Sequence, residues 1–484
     1  MKLNKLLQDI INQASLHVED IEDIEIKGIT NNSLEVEDGF LFIAIKGYQV
    51  DGHTYIDQAI KAGARAIIGE KKIDKISVPY FQVENSRLIL ADLAQRFYPD
   101  KSNKTIIGIT GTNGKTTTSF MIKHILESCG KTCSLFGSVY NYINGEKSAP
   151  SVNTTMDALQ IHKEIARSND EFVIMEVSSH ALSQHRVKGI NYDYALFTNL
   201  DHDHLDYHKD MDDYFSVKAR LFKQLKKDGA AIINTNNNWG EKLEELLSKN
   251  LNQISSVGKK DSDLYIQQNK AGDTHFVYKN KGVYPVKLPI KGKHNIQNAA
   301  LAFLTARNMG ISGEFISEAL KSFPGVPGRF EVVDHPTGAQ FIVDYAHTSD
   351  AFSQCLKTGR EMGAKRIIHI FGFRGDRDTS KRQSMVEVSA KLSDFCILTF
   401  DDLGTESYEG MLEALHNLKP LKKGKVIPDR TSAIEYAWDI ARDGDWIFIT
   451  GKGDELYKGT YNLPTKTDKD TLMYLLKEET AKVI

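Results

Sequence analysis

Short apolar runs alternate along this chain with longer stretches whose apolar residues recur at helical spacing. Phe40 to Ile45 is strand-like and is followed by a Gly- and Asp-bearing turn from Gly47 to His53. Tyr55-Ile56, Ala59-Ile60 and Ala62-Gly63-Ala64 form a helix-like pattern, and Ala66-Ile67-Ile68 reads as the next strand. A second block opens at Thr105 to Ile109, a buried-strand pattern, passes through a Gly-rich loop and continues as an amphipathic helix from about Thr116 to Ser128. The apolar runs Phe172 to Met175 and Tyr194 to Phe197 each end in a polar cluster. The turn-forming segment Phe323-Pro324-Gly325-Val326-Pro327-Gly328-Arg329 interrupts the pattern, and Phe341 to Val343, Arg366 to Phe371, Phe395 to Phe400 and Trp446 to Ile449 resume it. Strands alternating with helices predict an α/β fold with mostly parallel sheets, whose ligands bind at the carboxyl ends of the strands. The breaks divide the chain into residues 1–101, 102–327 and 328–484.

Composition narrows the class. With 41% hydrophobic and 26% charged residues over 484 positions, the chain is of soluble globular type and long enough for two to four domains. A formal net charge of −3 gives no basic excess for nucleic acid. Cys129, Cys133, Cys355 and Cys396 lack the spacing of a zinc site or a disulfide framework, so free thiols in a reducing cytoplasm are expected. Met1 to Ala14 mixes charged with apolar residues, and neither a signal peptide nor a membrane span is expected there.

The chemistry starts at Gly108-Ile109-Thr110-Gly111-Thr112-Asn113-Gly114-Lys115-Thr116-Thr117. A Gly-rich turn between strand and helix lets backbone N–H groups converge on phosphate oxygens, and the helix dipole adds to them. Lys115 would reach the β- and γ-phosphates, and the Thr116 hydroxyl would hold Mg²⁺. The strict loop pattern has Gly where Ile109 stands, so the match is to a variant loop; a purely structural glycine turn is the plainer alternative.

Thr110-Gly111-Thr112-Asn113-Gly114-Lys115-Thr116-Thr117 resembles the loop of the Mur ligase family, which builds the peptide of bacterial cell wall precursors. The resemblance extends over nearly the whole chain. It implies three domains: an N-terminal UDP-substrate-binding domain (1–101), a central ATP-binding domain (102–327) and a C-terminal amino-acid-binding domain (328–484). Glu176, in Met175-Glu176-Val177-Ser178-Ser179-His180, is implied to ligate Mg²⁺, as is His204 in Asp203-His204-Leu205-Asp206-Tyr207-His208. On spacing alone the His- and Asp-rich segment 199–208 also suits a transition metal. Lys218 matches the lysine that is carbamylated in the family, which turns a cation into an oxygen ligand suited to Mg²⁺. His294-Asn295-Ile296-Gln297-Asn298 resembles the adenine-site helix, with Asn295 near the base. Pro327-Gly328-Arg329-Phe330-Glu331 resembles the hinge whose Arg contacts ATP, and Asp344-Tyr345-Ala346-His347 the segment that meets ribose and phosphate. With Gly111, Thr112, Asn113, Gly114, Lys115, Thr116 and Thr117, these residues make up the expected ATP site, with Lys115, Glu176, His204 and Lys218 catalytic.

Within the family the chain is most similar to the branch that adds the third residue, the tripeptide synthetases. Asn153-Thr154-Thr155, Ser178, Gln184, Arg186 and Gly375-Asp376-Arg377-Asp378 carry that likeness. It implies that Thr154, Thr155, Ser178, Gln184 and Arg186 contact the muramoyl-peptide, and that Arg377 holds the α-carboxylate of the incoming amino acid, a bidentate task for a guanidinium. The departures are informative. The uridine-site D-S-R reads Asn32-Ser33-Leu34, keeping only Ser33; T-T-P-E reads Thr154-Thr155-Met156-Asp157; D-N-P-R reads Asp401-Asp402-Leu403-Gly404; G-K-G-H-E reads Gly451-Lys452-Gly453-Asp454-Glu455. In this branch the Arg of D-N-P-R binds the distal carboxylate of meso-diaminopimelate, which Gly404 cannot do. Asp401, Asp402, Asp454 and Glu455 then predict an acidic side-chain pocket suited to lysine or ornithine, with diaminopimelate disfavoured.

The expected reaction is ATP-dependent amide ligation through an acyl phosphate. Its partners would be ATP, Mg²⁺, a UDP-muramoyl-peptide or similar carboxylate acceptor and an amino acid, acting on a cytoplasmic monomer without nucleic acid or membrane. Two rivals stand beside it: a paralogue that ligates amino acids to another carboxylate outside cell wall synthesis, and a P-loop NTPase that switches or transports.

Overall fold

The computed structural model describes residues 1–10, 24–47, 50–73, 75–100, 103–148, 153–251, 253–269, 273–279, 282–375, 379, 381–418 and 423–483. It divides into two compact units: one made of 1–110, 131–195 and 217–230, the other of 111–130, 196–216 and 231–484.

The first unit begins with a four-stranded parallel sheet in the order Gly28–Thr30, Phe40–Ile43, Ala64–Gly69, Tyr80–Gln82. The expected helix after the 47–53 turn is shorter than its pattern, Ile56–Lys61, because Gly52–Tyr55 forms a 3₁₀ turn whose entry is capped by the Asp51 carboxylate on His53 N. Leu3, Leu6, Ile29, Leu41, Ile68, Leu90 and Leu93 close one face of the sheet, and Leu159 joins that core from the helix Ala158–Arg167. Lys188 pairs with Asp92 at 2.7 Å and Gln95 bonds to Gly189 O at 3.1 Å. Through these contacts part of the middle block belongs to the same unit as the N-terminal sheet. Further along the chain, Phe172–Glu176 lies between Thr105–Thr110 and Cys133–Phe136, parallel to both. Every side chain of Val173 to Glu176 is buried, which explains why this strand reads as a continuous apolar run.

In the second unit Ala231–Asn234 pairs with Ile254–Gly258 in parallel, and an antiparallel meander follows through Leu264–Gln268, Thr274–Tyr278 and Gly282–Val286. The chain ends in a six-stranded sheet ordered Glu331–Asp334, Gln340–Asp344, Asp445–Thr450, Arg366–Phe373, Phe395–Phe400, Gly424–Val426; only the first pairing is antiparallel. Side chains alternate between its faces as the pleat requires: Ile342, Ile367, Phe371 and Phe448 pack in one core, Phe341, Ile368, Ile370 and Ile447 in the other. Because these strands run in parallel, the residues after Val343, Phe373, Phe400 and Thr450 meet at one edge. Among the described residues no helix is long and apolar enough to cross a membrane.

Candidate active site

The phosphate loop precedes the helix Lys115–Ser128, whose N-cap is Gly114 at φ +83°. A Cβ at Gly114 would stand 2.3 Å from Asn298 Oδ1, so both the left-handed backbone and the lack of space require glycine. The segment after Phe197 pins the loop. Asn113 N donates to Asn199 Oδ1 at 2.9 Å, Thr112 N to Asn199 O at 3.0 Å, and Thr198 Oγ1 to Asn113 O at 2.6 Å. Asp201 N donates to Thr112 Oγ1 at 3.0 Å, and the Tyr214 hydroxyl lies 3.2 Å from the same oxygen. Lys115 Nζ donates to Gly111 O and Thr112 O, both at 2.9 Å, and so curls over the loop it is expected to serve. Thr116 and Thr117 are buried at the helix start.

Arg329 reaches this loop from the 323–330 segment: its Nη2 donates to Thr116 Oγ1 at 3.4 Å, and its guanidinium lies 4.1 Å from the Tyr345 ring centre. Asp344 is fully engaged by backbone, its two oxygens accepting Phe330 N and Ala346 N, each at 2.7 Å. Asn295 is buried, its Nδ2 donating to Lys291 O at 2.7 Å and its Oδ1 accepting from Asn298 at 3.4 Å. His204 stands at φ +56° beside Asp203. Burial alone would raise the Asp203 carboxyl, but His204, His347 and Lys381 hold it down at about 2, with Lys381 Nζ at 3.7 Å. Burial, and the Asp350 carboxylate after it, push Asp201 up to about 6.

The first unit assembles its share of the expected residues around Thr155. Thr155 Oγ1 donates to Glu176 O at 2.9 Å and accepts from Ser178 N at 3.0 Å. Arg186 Nη1 donates to Thr155 O at 2.8 Å and Nη2 to Gln184 Oε1 at 2.8 Å. Ser138, which carries no motif, ties the group together: its N and Oγ donate to the two oxygens of Glu176 at 2.9 and 3.0 Å, and its Oγ lies 3.2 Å from the Thr154 hydroxyl. Glu176 and Lys218 are both 1% exposed. Ser33 sits apart, opening a 3₁₀ turn in which Leu34 is 81% exposed.

At the edge of the C-terminal sheet the carboxylates of the expected acidic pocket stand among cations. Lys452 is fully buried and donates to Asp401 at 2.9 Å and to Asp402 at 3.0 Å. Arg374 donates to Asp401 Oδ2 at 3.3 Å and also to Glu455. Burial opposes ionisation of Asp401, yet Lys452 and then Arg374 hold its carboxyl well below the usual range. Asp401 is thus held between two cations, while Asp402 keeps one oxygen without a hydrogen-bond donor. Arg377 lies outside the described residues. Among the described residues no group of three or more His, Cys, Asp or Glu side chains converges as a metal site.

Comparison with known proteins agrees with this geometry. Residues 25–98 match the Mur ligase family catalytic domain, 109–306 the Mur ligase middle domain and 328–453 the Mur ligase glutamate ligase domain. The UDP-N-acetylmuramoyl-L-alanyl-D-glutamate--2,6-diaminopimelate ligase of Syntrophomonas wolfei is 39% identical over 468 residues, covering 93% of this chain and 95% of its own. The protein of that name from Bacillus velezensis is 36% identical over 477 residues, covering 95% of each. A solved structure of a ligase with the same name superposes with a TM-score of 0.65 at 28% identity, over 98% of this chain and 99% of its own. MurF ligase from Thermotoga maritima in complex with ADP shares the fold, with a TM-score of 0.65 at 22% identity over 88% of this chain and 94% of its own. The chain belongs to the Mur ligase family and has its three-domain α/β fold. It is accordingly an ATP-dependent acid–amino-acid ligase.

Proposed function

We propose that this ligase joins a diamino acid to the peptide carboxylate of UDP-N-acetylmuramoyl-L-alanyl-D-glutamate in peptidoglycan precursor synthesis, as a cytoplasmic monomer. The observation that carries the acceptor is the Thr155-Ser178-Gln184-Arg186 network, in a chain whose relatives of that name match it over nine-tenths of its length. Thr154 belongs to the same surface, and Ser33 would face the uridine end.

The acceptor carboxylate attacks the γ-phosphorus of ATP; the new O–P bond forms as the bond to ADP breaks. Lys115 and the amides of 111–117 stabilise the charge on the transferring group. Arg329, already at Thr116, adds a second cation, and Asp344 serves it from behind by fixing Phe330. Asn295 borders the adenine. Mg²⁺ in this reading neutralises phosphate charge, with Thr116, Glu176, His204 and a carbamylated Lys218 as the residues that would hold it. Lys218 is buried, and a carbamate on it would present oxygens. The amine of the incoming amino acid, its α-carboxylate held by Arg377, attacks the acyl carbon and loses a proton. The tetrahedral intermediate then expels phosphate and leaves an amide. The distal ammonium of a diamino acid finds a buried acceptor in Asp402, whose Oδ2 lacks a hydrogen-bond donor.

Incubation with ATP, Mg²⁺, UDP-N-acetylmuramoyl-L-alanyl-D-glutamate and an amino-acid mixture should give a product heavier by one amino-acid residue. In Lys115→Ala, product formation should fall at least about 100-fold. Near-normal turnover in that variant, or no mass increase with the wild type, refutes the reading.

A further inference from the structure

Two charges at the edge of the C-terminal sheet are only half used. A guanidinium has five N–H groups in a fixed fork. Arg374 spends Nε on Asp401 and Nη2 on Glu455; among the described residues no acceptor is bonded to its Nη1. Asp402 has a side chain 10% exposed, and its Oδ1 accepts from Lys452 at 3.0 Å. Its Oδ2 is buried without a hydrogen-bond donor, the Lys458 ammonium standing off at 3.8 Å. A buried carboxylate oxygen without a donor is costly, and a ligand donor would relieve it.

The backbone keeps these two side chains together. Gly375 N donates to Asp402 O at 3.0 Å, and a Cβ at Gly375 would come within 1.7 Å of Leu403 O. Residue 374 is thereby clamped against the 401–404 loop, where Gly404 presents no side chain. Lys452 ties Asp402 to Asp401, and Asp401 in turn holds Arg374. One guanidinium edge and one carboxylate oxygen are left over. An ammonium alone would satisfy Asp402 and leave the Arg374 edge bare; a group bearing both an ammonium and a carboxylate satisfies both.

We propose that Arg374 and Asp402 form the specificity-determining pair of this ligase, selecting an amino acid whose side chain ends in a second ammonium-plus-carboxylate group over one ending in an ammonium alone. In this chain Arg374 supplies from the neighbouring strand end the guanidinium that position 404 lacks. The proposal rests on the ligase reading above for the reaction in which selection is expressed.

The test measures kcat/KM for ADP release with meso-diaminopimelate, L-lysine and 2-aminopimelate, which offer both groups, the ammonium only and the carboxylate only. The wild type should use diaminopimelate best. In Arg374→Ala the ratio of diaminopimelate to lysine use should fall about 10- to 100-fold, the range for a lost charged hydrogen bond. Arg374→Lys keeps the charge without the fork and should fall between the two. A parallel loss for both amino acids, as expected if Arg374 only supports the fold or holds the α-carboxylate, overturns the proposal, as does a wild type that prefers lysine. Lysine preference with a normal product mass sinks this inference and leaves the ligase reading intact; no product with any amino acid sinks the ligase reading itself.

Discussion

The phosphate loop and the strand-end cluster of the C-terminal sheet both recognise charged ligands, but they are held in opposite ways. Mostly neutral groups fix the loop: Thr198, Asn199 and the close approach of Asn298 set its backbone, and Asn199 takes up the N–H groups of Thr112 and Asn113. At the strand ends Lys452, Arg374 and Arg382 interleave with Asp401, Asp402, Glu455 and Glu406. The difference follows from the ligand. Phosphate is an anion throughout, so a surface of donors suffices. An amino acid carries both signs, and a surface that meets both must keep its own charges from collapsing onto each other, which crossed pairing achieves.

If the contrast is right, the two sites should break differently. The largest effect on stability is expected at Lys452. Lys452→Met strands Asp401 and Asp402 in a buried setting and should cost about 3–5 kcal/mol in urea unfolding; a loss under about 1 kcal/mol would mean that the pairs are solvated. At the loop, Gly114→Ala forces a Cβ into Asn298 at positive φ and should cost about 1–3 kcal/mol, with weakened ATP binding by calorimetry. Unchanged ATP affinity would show that the loop's shape is not what binds. The smallest effect sharpens the role of a neutral buried group. His369 sits between Ser389 Oγ at 2.8 Å and Thr450 Oγ1 at 3.0 Å, and burial lowers it to about 3. The unfolded chain takes up a proton below about 6.5 while the folded chain does not until about 3, so stability is lost as pH falls through that window. By pH 5.5 the loss is about 1 kcal/mol, and His369→Gln should flatten the dependence of melting temperature on pH between 7 and 5.5. An unchanged slope would place the titration elsewhere.

Strands buried on both faces, such as Thr105–Thr110, Phe172–Glu176 and Asp445–Thr450, were legible in the sequence because burial leaves almost no polar position in them. The meander Leu264–Gln268, Thr274–Tyr278 and Gly282–Val286 was not, because these half-buried strands carry Gln, His and Pro among their apolar residues. The loop could be read because its chemistry is local and made by backbone. Ser138 and Thr198 gave no signal, and Asn199 and Asn298 lay in noted segments without a role of their own, since each acts on a residue far along the chain. The strand-end pocket was only partly legible for the same reason: its carboxylates lie in two motifs, while the Arg374 that pairs with them lies in a third and looks like surface.

The Asp344 carboxylate, which takes up the Phe330 N–H, has a mechanical consequence. Phe330 stands at φ +48°, a conformation that a bulky residue keeps only when its surroundings enforce it. The carboxylate that enforces it ends a strand of the C-terminal sheet. Arg329, the residue before Phe330, is thereby tethered to the end of that strand. One backbone hydrogen bond thus joins the placement of a guanidinium at Thr116 to the last residue of a sheet strand.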